Sequence, residues 1–153
     1  KHNITLSRLD FVSEKGVIDV DKEQHAAGEY FEKLSVKAPS IEQFVGNLSG
    51  GNQQKVLVGK WMFAKPDIMM LDEPTRGIDV GSKYEIYCII NSLVKEGKSI
   101  LMVSSEMPEL LGMCDRIYVM CEGKLIAELP KAEASQEIIM NYIMQASKGE
   151  VSA

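Results

Sequence analysis

The chain has 153 residues, of which 45% are hydrophobic and 25% charged, the balance of a globular protein long enough to bury a sizeable core. Its 17 basic and 22 acidic residues give a net charge of −5 with no basic run, which argues against a dedicated nucleic-acid binder. No apolar run reaches the ~20 residues of a membrane span and no signal-peptide pattern opens the chain, while Cys88, Cys114 and Cys121 lack CxxC spacing and are expected to be free, buried thiols.

Residues 1–44 are mostly polar and helix-prone. A short helix opens near His2–Leu6, is broken by Ser13-Glu14-Lys15-Gly16, and is followed by a loop or short strand over Gly16–Val20. A longer helix is expected from Asp21, read as its N-cap, with Ala26, Ala27, Tyr30, Phe31 and Leu34 as an apolar stripe. Ala38-Pro39-Ser40 ends it, because the residue before proline is pushed out of the helical region, and Ile41–Val45 adds about one more turn. His2 and His25 read as surface residues, since their spacing is not that of a metal site.

Ser49 caps the next helix, whose apolar positions are Val56, Leu57, Trp61 and Met62 and which closes near Ala64-Lys65-Pro66. Asp67–Leu71 is a short continuous apolar run, the pattern of a strand buried on both faces. A helix over about Gly81–Lys95 follows, with Tyr84, Ile86, Tyr87, Ile90 and Leu93 inward and Gly97 as its stop. Ser99–Val103 reads as a second buried strand, and Met107–Met113 as a short helix. Arg116–Met120 and Lys124–Glu128 form a hairpin around Glu122-Gly123. An amphipathic helix over Ala134–Gln145 closes the pattern, and the last eight residues are expected to fray. Strands alternating with helices predict an α/β layer with mostly parallel strands after a helical opening part.

Two stretches could carry chemistry. A helix start exposes N–H groups and partial positive charge, which favour phosphate. Gly50 and Gly51 would let a ligand approach the backbone, Ser49 adds a hydroxyl, and Asn52 and Gln53 add amides. Ser-Gly-Gly alone is equally compatible with a plain capped helix. Downstream, Asp72 and Glu73 end a strand, where ligands bind in α/β sheets. An aspartate there can hold Mg²⁺ through water, and an adjacent glutamate can orient or deprotonate an attacking water. Taken alone, the pair is also compatible with two solvated charges at a loop start.

The combination is more specific. Leu48-Ser49-Gly50-Gly51 with Gln53-Gln54-Lys55, then Ile68 to Thr75, then Gly77-Ile78-Asp79, resembles the ATP-binding-cassette (ABC) ATPases, which have the P-loop NTPase fold. By that resemblance Ser49, Gly50, Gly51, Asn52 and Gln53 are the signature motif and contact ATP. Ile68–Asp72 is the Walker B strand with Asp72 at Mg²⁺, Glu73 is the catalytic glutamate, and Asp79 belongs to the D-loop. The fuller wording, Asn47–Lys55 and Leu71–Gly81 with Val103-Ser104-Ser105-Glu106-Met107-Pro108-Glu109, is similar to the second cassette of tandem ATPases that power ribose-, galactose- and xylose-type importers. The resemblance implies a helical signature subdomain over residues 1–63 and part of the nucleotide-binding core over 64–153. It implies transmembrane permease subunits, a sugar-binding protein outside the membrane, and another cassette as partners, at the cytoplasmic face of a bacterial membrane.

Two features depart from the family pattern. No G-x-x-x-x-G-K-[ST] occurs, so the loop that grips the β- and γ-phosphates is missing. Together with an opening Lys1, this leads to the expectation of a C-terminal piece of a longer protein, lacking the phosphate-loop strand and inactive alone. Its unpaired strands would then favour self-association or a rearranged sheet. The switch position, where the family usually has histidine, is Ser105, which cannot take a proton at neutral pH. The same serine occurs in the subfamily resembled. The expectation is therefore that Ser49–Gly51 complete a site whose phosphate loop lies in the other cassette, while the site around Glu73 is the weaker. A non-transport ABC protein and a non-catalytic regulatory module are the alternatives.

Overall fold

A computed structural model describes residues 1–148; of the eight residues expected to fray, Gly149–Ala153 lie outside the described residues, whereas Ala146 and Ser147 are helical. The chain divides into two compact units, Lys1–Val103 and a second from Ser104 onward.

The first unit opens with α1 (His2–Thr5), a 3-10 segment (Leu6–Val12) and a small hairpin, β1 (Ser13–Glu14) with β2 (Val17–Ile18). Helix α2 (Val20–Lys33) is capped by Asp19 rather than Asp21: Asp19 is extended, and its Oδ1 accepts from the amides of Asp21 and Lys22. Asp21 already lies in the first turn, where its charge still suits the helix dipole. Glu23 is buried and ties α1 to α2, accepting from Thr5 Oγ1 and facing His2 Nδ1, each at 3.0 Å. Burial pushes its pKa up, but the contacts from His2 and Thr5 outweigh this and leave it below the ordinary value. After α2 the chain has no further α-helical turn over Ile41–Val45; a 3-10 turn forms at Val45–Asn47 instead.

Helix α3 (Gly50–Phe63) is the hub of this unit. Gly51, Lys55, Val56, Val58, Gly59, Met62 and Phe63 are buried, whereas Leu57 and Trp61, expected inward, lie on its exposed side. Phe63 is wedged edge-on between Phe11 and Tyr30, with ring centroids 5.8 and 5.6 Å away. Strand β3 (Ile68–Asp72), helix α4 (Val80–Lys95) and strand β4 (Ser99–Val103) form a β-α-β unit with a parallel pair in register Ile68↔Ser99 to Asp72↔Val103. In α4, Ile86, Ile90 and Leu93 are buried as expected, and Tyr84 is exposed.

Neither strand is covered on both faces. Met69 and Leu71 are buried, but Ile68 and Met70 are 67% and 74% exposed, because among the described residues β3 pairs only with β4 and packing covers one face. The cysteines are free but not buried: Cys88 is exposed on the outer side of α4, and Cys114 and Cys121 are half-buried.

The second unit contains α5 (Met107–Met113), the antiparallel hairpin β5 (Arg116–Cys121) and β6 (Lys124–Pro130), and α6 (Gln136–Ser147). Glu122 and Gly123 both have positive φ, the geometry of a two-residue hairpin turn. Ile117, Val119, Leu129 and Ile139 form its core.

Candidate functional site

Ser49 has the extended conformation of an N-cap (φ −61°, ψ 154°), but its side chain makes no cap bond to the helix backbone. Instead its Oγ accepts from Asn52 Nδ2 at 2.8 Å. Asn52 Oδ1 accepts from the Lys37 amide at 2.8 Å, and Gln53 Nε2 donates to the Leu48 carbonyl at 2.9 Å. These two amides therefore fix the loops that lead to the helix start. Among the described residues no side chain caps the first-turn N–H groups of α3, and Ser49 and Gly50 are exposed beside them. An open helix N-terminus of this kind fits a phosphate oxygen.

The two glycines do different things. Gly50 is exposed, and a Cβ there would meet Ile78 Cγ2 at 3.4 Å, an ordinary contact. Gly51 is buried against α4, and a Cβ there would lie 2.1 Å from Ser82 Oγ. Its missing side chain serves helix packing.

Asp72 is the exposed last residue of β3, opposite Val103 at the end of β4. Glu73 continues the ladder for one more bond, its amide donating to the Val103 carbonyl at 2.8 Å, and then turns with φ +47°. A left-handed conformation at a non-glycine residue costs about 1–3 kcal/mol and concentrates at functional sites. The two carboxylates thus stand beyond the carboxyl ends of parallel strands, in the same compact unit as Ser49–Gln53. Among the described residues no three His, Cys, Asp or Glu side chains gather as a metal cage. A lone exposed carboxylate such as Asp72 could hold Mg²⁺ through water, since that ion is commonly bound by one or two carboxylates and keeps several waters.

Asp79 is the N-cap of α4. Its Oδ1 accepts from the Ser82 amide at 3.0 Å and its Oδ2 from Ser82 Oγ at 2.6 Å. The hydroxyl bond, then the amide bond, holds its carboxyl below the usual range. Ser105 is exposed and lies in the second unit, just before α5; beside it, Ser104 Oγ accepts from the Glu106 amide at 3.0 Å.

Sequence reasoning quoted Lys55 only as part of the motif wording and passed over its burial and its partner Glu85. Lys55 is 1% exposed, with Nζ 2.7 Å from Glu85 Oε2 and 2.9 Å from the Ser35 carbonyl. The signal was available: Gly51, Lys55, Val58, Gly59 and Met62 follow helical spacing, so the lysine lies on the buried stripe.

A family model described as ABC transporter matches residues 2–76. The L-arabinose transport ATP-binding protein AraG of Geobacillus stearothermophilus is 54% identical over 147 residues, 96% of this chain and 29% of the relative. The chain belongs to the ABC transporter family. The xylose import ATP-binding protein XylG of Moorella thermoacetica is 54% identical over 138 residues, 90% of this chain and 27% of that protein. The ribose import ATP-binding protein RbsA of Clostridium tetani is 50% identical over 147 residues, 95% of this chain and 29% of that protein. The chain thus spans less than a third of the length of these curated relatives. Among solved structures, a nucleotide-free ATP-binding cassette from an ABC transporter superposes with a TM-score of 0.74 at 23% identity, covering 97% of this chain and 60% of that one. A bacterial ABC transporter cassette solved as a dimer gives 0.70 at 20% identity, covering 84% and 56%. Both bear out the expected fold, α/β with a parallel strand pair from an ABC cassette core. No helix among the described residues is long and apolar enough to cross a membrane.

Proposed function

We propose that this chain is part of the ATPase that powers a sugar importer, and that its Ser49–Gln53 segment closes over ATP held by a partner cassette. The observation that carries this reading is the open start of α3. Among the described residues no side chain caps its first-turn N–H groups, and Ser49 and Gly50 are exposed beside them. The 153 residues contain no G-x-x-x-x-G-K-[ST], and in this reading the lysine and amides that grip the β- and γ-phosphates facing Ser49–Gln53 belong to a partner cassette. A related cassette solved as a dimer supports such a pairing. Relatives named for L-arabinose, xylose and ribose transport support a simple sugar as cargo, with permease subunits and an external sugar-binding protein as partners. The working place would be the cytoplasmic face of the bacterial membrane, with residues 1–63 as the helical subdomain facing the permease and 64–153 as part of the nucleotide-binding core.

In this reading Asp72 holds Mg²⁺ through water, and the ion would supply charge stabilisation for the phosphates. Glu73 orients or deprotonates the attacking water from its left-handed turn. Asp79 faces the partner cassette. By sequence position Ser105 takes the place of the family's switch histidine and cannot take a proton at neutral pH, which supports a weaker ATP site in this half than in its partner.

The test is ATP turnover in the intact transporter carrying Ser49→Arg or Glu73→Gln. Loss with Ser49→Arg and retention with Glu73→Gln are expected; loss with the second but not the first overturns the reading. The purified 153-residue chain alone is expected to show no turnover above background.

A further inference from the structure

We infer that Lys55 and Glu85 are positioning residues that clasp the start of α3 to the start of α4, so that Ser49–Gln53 and Asp79 move as one body. The inference rests on the function proposed above and adds residues that touch no nucleotide.

Contacts at three places make the clasp. Lys55 Nζ is buried and reaches Glu85 Oε2 on α4 at 2.7 Å and the Ser35 carbonyl, in the turn after α2, at 2.9 Å. One turn earlier, Gly51 abuts Ser82 so closely that a Cβ would lie 2.1 Å from its Oγ. That same Oγ and the Ser82 amide hold Asp79. On the flank, Lys37 contributes its Nζ to Glu85 at 3.7 Å and its amide to Asn52 Oδ1 at 2.8 Å. The contacts therefore run from the signature segment to α4, and from α4 to the D-loop aspartate.

Geometry rather than stability is the use of such a pair. Lys55 is 1% exposed and Glu85 40%, and an ion pair open to solvent on one side adds little to stability, yet it fixes where its two helices meet. The close approach at Gly51 sets the distance between α3 and α4, and the Lys55–Glu85 bond sets their register. A slip of one residue along the helix would displace its first turn by about 1.5 Å. A misplacement of about 1 Å at reacting groups can cost about a hundredfold in rate.

The experiment uses the intact transporter with Lys55→Met, Glu85→Ala and the double variant. Lys55→Met and Glu85→Ala are each expected to lower kcat about tenfold or more. The double variant, with no buried charge left alone, should regain the thermal stability lost in Glu85→Ala while its kcat stays low. Recovery of kcat along with stability would reduce the pair to a folding role and overturn the inference, as would wild-type kcat in Lys55→Met. Hydrogen exchange on the same full-length polypeptide judges the clasp apart from the function. Faster exchange of residues 50–53 and 80–82 together in Lys55→Met supports it, and faster exchange of only one segment overturns it. Should Ser49→Arg leave turnover intact, the proposed function fails, and the exchange result still decides the clasp.

Discussion

Ser82 Oγ occupies the space in front of Gly51: a Cβ on Gly51 would lie 2.1 Å from that oxygen and 2.5 Å from Ser82 Cβ. The oxygen donates a hydrogen bond to Asp79 Oδ2 at 2.6 Å and cannot swing aside without giving up that bond, while Ser82 Cβ stays in the way. Gly51→Ala is therefore expected to destabilise the chain by about 1–3 kcal/mol, although alanine by itself favours a helix over glycine by about 1 kcal/mol. Gly50→Ala meets only Ile78 Cγ2 at 3.4 Å and should change stability by less than about 0.5 kcal/mol. Adding Ser82→Gly to Gly51→Ala removes the clash and should recover part of the loss. Urea unfolding of these three variants beside the wild type checks the order.

The motifs and most elements were legible because their signals are local. Asp67–Leu71, Ser99–Val103 and the Glu122-Gly123 turn have length, composition and turn chemistry that specify strand or hairpin without reference to neighbours. What sequence could not give was the depth of packing around each element. A continuous apolar run such as Ile68–Leu71 reads as doubly buried, but burial is decided by what lies on each face, and here one face is open. Ser49 was readable as an N-cap from its type and place, whereas the diversion of its hydroxyl to Asn52 depends on the loop at Lys37, fifteen residues before Asn52. Gly50 and Gly51 are identical in sequence terms; only the position of Ser82 tells the packing glycine from the exposed one.

Glu73 holds a left-handed turn that its side chain disfavours (φ +47°). Glutamine preserves the shape and the strain, whereas glycine adopts this conformation freely. Glu73→Gly is therefore expected to exceed Glu73→Gln in unfolding free energy by about 1 kcal/mol. Both should lack whatever turnover the Glu73 site supplies in the intact transporter. Equal stabilities in chemical denaturation would show that the turn stores no strain.

Glu85 makes the clasp pH-dependent. The bond to Lys55 and its charge, then Lys37, hold the Glu85 carboxyl below its ordinary value. The folded pKa is thus below the unfolded one, so the unfolded chain binds more protons as the medium turns acid. The contribution is fully present above the unfolded pKa and is lost as pH falls through the folded one. Wild type is expected to exceed Glu85→Ala by less than about 1 kcal/mol at neutral pH, since Glu85 is 40% exposed and solvent screens the pair. That difference should shrink steadily as pH drops through and below the carboxylate range. A gap independent of pH, measured by thermal or urea unfolding, would show that the Glu85 charge plays no part.

The open face of the β3–β4 pair predicts how the chain behaves in solution. Ile68, Met70, Leu101 and Val103 share that face, with exposures of 67%, 74%, 46% and 55%. Among the described residues each strand has only the other as partner, so each also presents an unpaired edge. Apolar surface beside open edges is an association hazard. The purified chain is expected to self-associate as its concentration rises. Met70 and Leu101 are direct register partners, so Met70→Lys with Leu101→Glu places opposite charges across the pair. Such a pair contributes about 0.2–1 kcal/mol to a sheet, and it makes the face costly to dehydrate. The double variant should remain monomeric by light scattering at concentrations where the wild-type chain has already associated. A wild-type chain monodisperse and monomeric throughout that range would show that this face is not an association surface.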